Sequence, residues 1–139
     1  MVHENPSDPA ISELLRSVRR IAVVGLSPKP HRDSNLVARF LIEQGYDVVA
    51  VHPREERILG RPVYRRLSDV PGGVDLADVF RRGDALGEVV DDALEAHVPA
   101  LWFQFNCVNE LAAQRAATAG VRVVMDRCIM VDHRRLLGS

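Results

Sequence analysis

Gly25, Ser27, Lys29, Arg32 and Ser34 fall within one ten-residue stretch that follows directly on the apolar run Ile21–Val24. Together they offer what an anion needs. A glycine lets the chain turn sharply, a hydroxyl and two cations line the turn, and Ser34 is placed to cap a helix whose first amides point at a phosphate. Three further sets stand in the same situation, at or just past the end of an apolar run: Pro53-Arg54 after Asp47–Val51, Phe80-Arg81-Arg82 closing Val74–Phe80, and Gln104 closing Ala100–Phe105. The planar fork of arginine suits phosphate, but 17 of the 18 basic residues are arginines and Lys29 is the single lysine, so only position separates a binding arginine from compositional bias.

Bringing these sets together requires strands that end side by side. Five apolar segments, Ile21–Val24, Asp47–Val51, Val74–Phe80, Ala100–Phe105 and Val121–Met125, read as strands separated by helical patterns. The helices are expected at Leu36–Leu41 with Gly45 as stop, after an Asp84 cap through Leu94, and after an Asn109 cap to Gly120. A lead-in helix over residues 10–20 begins with Asp8-Pro9, the first nine residues are expected to be loose, and His52–Gly73 reads as mostly irregular chain with a short helical turn at Leu67–Val70. Alternating strands and helices with right-handed crossovers predict an α/β, Rossmann-like, doubly wound five-stranded parallel sheet of order 3-2-1-4-5, helices on both faces, in one domain over 1–139. Ligands of such sheets sit beyond the carboxyl ends of the strands, where all four sets lie.

Other chemistries are excluded one by one. With 19 acidic against 18 basic residues the net charge is -1, so nucleic acid has no polycation to meet. No apolar run approaches a membrane span or a signal peptide, and the two cysteines, Cys107 and Cys128, fit neither a disulfide framework nor a CxxC site, which predicts a soluble, cytoplasmic protein with free thiols. His3, His97 and His133 lack partners at ligand spacing, so no metal is expected. The Walker pattern is missing, and of GxGxxG only Gly25 is present. The second strand ends on His52-Pro53-Arg54 in place of the acid that would hold an NAD ribose, which favours a phosphorylated ribose, as in NADP or coenzyme A. No Ser-His-Asp order, HExxH, GxSxG or pair of strand-end carboxylates occurs, Asp126 being the sole strand-end acid.

Val24 through Asn35, Gly45 through Val49, His52-Pro53-Arg54, Asp75 through Arg82, Leu101 through Gln104 and Asp126-Arg127-Cys128 occur in an order that resembles the small single-domain CoA-binding proteins. That family is similar to the CoA-binding domain of the succinyl-CoA synthetase alpha subunit, and the likeness runs from about Ile11 to Leu137. The resemblance implies coenzyme A contacts from Gly25, Ser27, Lys29, Arg32 and Ser34 in the first loop, Pro53 and Arg54 in the second, Phe80, Arg81 and Arg82 in the third, and Gln104 in the fourth. On that basis the pyrophosphate is assigned to the amides around Ser27 and the Ser34 helix start with Arg32 or Lys29, and the ribose phosphate to Arg54. Phe80 then offers an apolar face to adenine or pantetheine, and Gln104 a hydrogen bond to an amide. Members usually carry a glycine after Gln104; this chain has Phe105-Asn106-Cys107, where close backbone approach is less free. The expected function is binding of coenzyme A or an acyl-CoA without a complete catalytic site. The alternatives are an NADP- or other nucleotide-dependent enzyme and a CoA-binding subunit that completes an enzyme in trans. A homodimer, through the lead-in helix or Ile129–Leu137, and an unidentified protein partner are the associations considered.

Overall fold

A computed structural model describes residues 2–138; Met1, part of the lead expected to be loose, lies outside them, as does Ser139. The strands are β1 (Arg20–Val24), β2 (Asp47–Val51), β3 (Arg57–Ile58), β4 (Arg61–Tyr64), β5 (Leu76–Val79), β6 (Ala100–Phe103) and β7 (Arg122–Met125). They form one sheet in the order β3-β4-β2-β1-β5-β6-β7. All neighbours are parallel except the β3–β4 pair. The fold class is the predicted one, and the strand count and order need correcting.

The segment Val74–Phe80, expected at the edge beyond β2, is central: β5 pairs directly with β1, Val23 beside Asp78. The place beside β2 is taken by β4, from the stretch expected to be irregular. A two-residue turn, Leu59-Gly60, joins β3 to β4 with φ of 55° and 70°. Two successive positive φ values make the tight turn that matches strand twist, normally announced by Asn-Gly or Asp-Gly. Leucine in the first position hides that signal. Strand order therefore reverses between β1 and β5, not between β1 and the Ala100 strand.

Helices cover both faces. Helices α1 (Asp8–Ser17), α2 (Asp33–Glu43) and α5 (Ile129–Leu137) lie on one face, where Ile11, Leu15, Leu41 and Ile129 bury against Ile21, Val48 and Trp102. On the other, α3 (Leu86–Glu95) and α4 (Glu110–Thr118) bury Val90, Ala93, Ala113 and Ala116 against Ala22, Leu101 and Val123. Each fully buried aliphatic side chain contributes about 1.5–3 kcal/mol, and strands covered on both sides carry the near-continuous apolar runs seen in the sequence. Trp102 is wholly buried, its indole donating to the Arg127 carbonyl at 2.8 Å, as its core reading requires.

Capping differs in detail from expectation. Ser7, not Asp8, caps α1. Asp84 lies in a single 3-10 turn, Gly83–Ala85, leading into α3 and pairs with Arg82 instead of capping. Asn109 caps α4 as expected, accepting from the Ala112 amide at 3.0 Å. Residues 2–7 lie along β7: Asn5 exchanges two hydrogen bonds with the backbone of Met125, and His3 bonds to the Val123 carbonyl. No described helix is long and apolar enough to cross a membrane.

Candidate functional site

The carboxyl ends of β1, β2 and β5 are knitted together at Gly25. Its amide donates to the Val51 carbonyl at 3.0 Å, and the Phe80 amide donates to the Val24 carbonyl at 2.8 Å. Gly25 has φ of 84°, and a Cβ there would collide with the Phe80 carbonyl oxygen. Only glycine permits this closure, which sets the floor of a groove.

Three contiguous cavities make up the groove. The first, about 510 Å³, is bounded by Ser27, Lys29, Arg32, Ser34, His52 and Arg54. The second, about 500 Å³, shares Gly25, Ser27, His52 and Phe80 with it and adds Pro53, Arg65 and Arg81. A third, about 270 Å³, lies beyond Phe80 and Asp33 and is lined by Gln104, Asn106, Cys128 and Met130. Phe80 borders all three, its inner side packed on the core. The larger two match the size of ordinary small-molecule sites.

Of the eleven predicted site residues, the structure brings ten to this groove. Arg82 is the exception: it pairs with Asp84 at 3.3 Å on the open surface. The roles also divide. Ser34 does not cap α2, whose N-cap is Arg32 without a side-chain bond; its hydroxyl is buried and accepts from the Ser27 amide at 2.9 Å. The Ser27 hydroxyl accepts from the Lys29 amide at 3.1 Å, and its carbonyl accepts from Asn35 Nδ2 at 2.9 Å. Ser27 is thus committed to the shape of its own loop. Among the described residues the amides of Asp33 and Ser34 meet no backbone acceptor, and these are the α2 groups left for an anion. The side chains of Lys29, Arg32, Arg54 and Arg81 make no ion pair with any described residue.

The second loop is held by two residues that the sequence did not single out for that task. His52 Nδ1 accepts from the amides of Arg54 and Glu55, at 3.0 and 3.1 Å, so the ring must be neutral with its proton on Nε2. Burial, with Arg54 and Arg65 nearby, lowers its pKa despite the opposing charge of Glu55. Arg65 spends its guanidinium on three carbonyls of the same loop, those of His52, Arg54 and Glu55. In the first loop Arg39 does similar work, bonding Asn35 Oδ1 and the Pro30 carbonyl. The local signal for Asn35 and Arg39 was their i,i+4 spacing on α2; Arg65 had none.

At the far end, Gln104 is 4% exposed and its Oε1 accepts from the Ile129 amide at the start of α5. Its Nε2 meets no acceptor among the described residues, leaving it for the third cavity. Asn106 stands where a glycine was expected and adopts φ of 69°, a left-handed geometry that asparagine tolerates. The Asp126 carboxylate holds it, accepting the Asn106 amide at 2.8 Å. The glycine-like backbone is therefore retained.

The two thiols separate. Cys107 packs with the α3/α4 face, and burial, reinforced by the Asp126 carboxylate, pushes its thiol pKa up. Cys128 packs with the opposite face and lines the third cavity. Asp78 is wholly buried on β5, neither carboxyl oxygen has a hydrogen-bond partner among the described residues, and burial raises its pKa well above its ordinary value. No group of three or more described histidine, cysteine or acidic residues is arranged to hold a metal.

Comparison with known proteins gives this geometry a context. A curated Bacillus subtilis protein, YneT, described as uncharacterized, is 39% identical over 130 residues, covering 94% of this chain and 96% of its own. The solved structure of a hypothetical protein from Pyrococcus horikoshii OT3 superposes with a TM-score of 0.92 at 39% identity, over 99% of this chain and 100% of that one. A dinucleotide forming acetyl-coenzyme A synthetase 1 from Ca. Korarchaeum cryptofilum, solved with phosphate and ADP, matches at a TM-score of 0.71 and 27% identity, over 83% of this chain but 28% of that protein. Residues 19–134 match the CoA binding domain, and the chain belongs to that family.

Proposed function

We propose that this chain binds coenzyme A or an acyl-CoA in the groove across β2, β1, β5 and β6, and that it does so as a cytoplasmic binder without a reaction centre of its own. The observation that carries the reading is the division of the groove around Phe80. One side offers three cations without ion partners among the described residues, Lys29, Arg32 and Arg54, and the other a cavity without cations, lined mostly by apolar residues, with Asp33 at its border and the spare amide of Gln104. Coenzyme A has the same polarity: a triply phosphorylated nucleotide at one end and an amide-bearing, uncharged arm at the other.

Asp33 and Glu55 also border the first cavity, so the phosphates are best placed toward Arg32 and Arg54, near the free Asp33 and Ser34 amides. Arg54, on the loop after β2, is assigned the ribose phosphate. The pantetheine arm passes Phe80 to Gln104, and Leu36, Phe105 and Met130 offer apolar surface to an acyl group. Asp126, the strand-end acid, is engaged as the latch on Asn106, which supports a binding role over a catalytic one.

Thermal melting with coenzyme A, acetyl-CoA, NAD and NADP tests this. Coenzyme A or its thioester is expected to raise the Tm in a concentration-dependent way, because a ligand that binds only the native state stabilises it. A shift with NADP and none with coenzyme A would overturn the reading in favour of a nucleotide-dependent enzyme. Co-purification with a larger synthetase component would instead mark a subunit completing an enzyme in trans.

A further inference from the structure

Cys128 lines the cavity beyond Phe80, next to the buried amide of Gln104. We infer that Cys128 is a modification site that captures coenzyme A as a mixed disulfide, an inference that rests on the coenzyme A reading above.

The cavity beyond Phe80 is lined by Gln104, Phe105, Asn106, Cys128 and Met130. Gln104 marks it independently as a place for a polar ligand. The residue is only 4% exposed, its Oε1 is taken by the Ile129 amide, and its Nε2, without an acceptor among the described residues, is left for the cavity. An amide nitrogen so placed seeks a carbonyl, and the pantetheine arm carries two. A carbonyl held at Gln104 brings the terminal sulfur into the cavity that Cys128 lines. Cys107 is only a few residues from Gln104 in sequence, but it packs on the other face of the sheet among α3 and α4 residues. The fold thus gives one thiol access to the ligand and denies it to the other.

The chemistry is thiol–disulfide exchange with a coenzyme A disulfide. Cys128 Sγ, as thiolate, attacks one sulfur of that disulfide. The Sγ–S bond forms, the original S–S bond breaks, and the departing thiolate takes up the proton that Cys128 released. One disulfide is consumed and one formed, so no further oxidant enters. Holding the reagent by its nucleotide makes the attack effectively intramolecular, at an effective concentration on the order of millimolar.

The test treats the full chain with coenzyme A disulfide and, separately, with glutathione disulfide, and maps adducts by mass spectrometry of peptides. The expected result is a dithiothreitol-reversible coenzyme A adduct on Cys128, formed about tenfold or more faster than the glutathione adduct. Cys107→Ser should leave that adduct in place and Cys128→Ser should abolish it. Modification mainly at Cys107, or equal rates with the two disulfides, would overturn the inference; both readouts use the unaltered chain and survive a variant that fails to fold. Melting of the unaltered, reduced chain with coenzyme A thiol runs alongside. A Tm shift there with no Cys128 adduct defeats only the covalent step, whereas no shift defeats the binding reading and this inference with it.

Discussion

The loops after β1 and β2 face each other across one cavity; each has an arginine bracing its backbone, Arg39 and Arg65, but the rest of their scaffolding differs. The first is closed by short polar side chains bonding to backbone, Ser34 and Asn35 to Ser27, so that Lys29 and Arg32 stay unpaired. The second is held by a neutral imidazole and by Arg65, which donates to three of the loop's carbonyls, while Arg54 makes no ion pair with any described residue. What the difference teaches is that a polar residue in a binding loop is either spent on shape or left for the ligand, and residue type alone does not say which. Arg54 and Arg65 look alike in sequence and sit on the two sides of that division.

The sharpest way to break the comparison is at the floor both loops share. Gly25→Ala combines a positive φ with a collision against the Phe80 carbonyl and should cost about 3 kcal/mol of stability, read by urea unfolding. Next in size, Arg54→Ala should weaken coenzyme A binding about tenfold or more by calorimetry with little change in Tm, since a charged hydrogen bond contributes about 1.5–3 kcal/mol. Arg65→Ala should weaken binding as well, but with faster amide exchange across residues 52–56. If the two variants behave identically, the division between shaping and binding arginines is wrong.

Acid should affect the two loops unequally. Because the native pKa of His52 lies below its usual 6.5, the bonds that Nδ1 accepts from the Arg54 and Glu55 amides are fully present above that ordinary value and are lost as pH falls through the lowered one. Coenzyme A affinity should therefore fall on the acid side. His52→Asn, whose Oδ1 can replace Nδ1 as acceptor, should flatten that part of the profile; an unchanged profile would remove His52 from the explanation. The smallest effect is expected at Arg82→Ala, within about twofold of the parent, because its exposed pair with Asp84 is a weak surface contact.

Much of this was legible beforehand because a strand buried on both faces writes itself as an apolar run. The runs at β1, β2, β5, β6 and β7 located the loops, and ten of the residues placed past them do meet. The edge was not legible: β4 is short, half-exposed and interrupted by Pro62, and its turn begins with Leu59. Nor was the centrality of β5, since with β4 uncounted Val74–Phe80 became the third strand and so fell at the edge of a 3-2-1-4-5 order. Within the site, position pointed to Lys29, Arg32 and Arg54, which the structure places around one cavity without ion partners among the described residues. It could not reveal that Ser27 and Ser34 bond to each other, because two hydroxyl-bearing residues seven apart carry no periodic signal.

Asp78 extends the consequences beyond the groove. An acid stored without its charge between β1 and β6 favours the sheet in acid and weighs against it as pH rises. Above the ordinary carboxylate range the unfolded chain gives up this proton and the native one keeps it, so folding loses about 1.4 kcal/mol per pH unit from this group until it ionises in place. Asp78→Asn, which cannot ionise, should hold its melting temperature as pH rises past the ordinary carboxylate range while the parent declines, so that one amide would free the core of this dependence on pH.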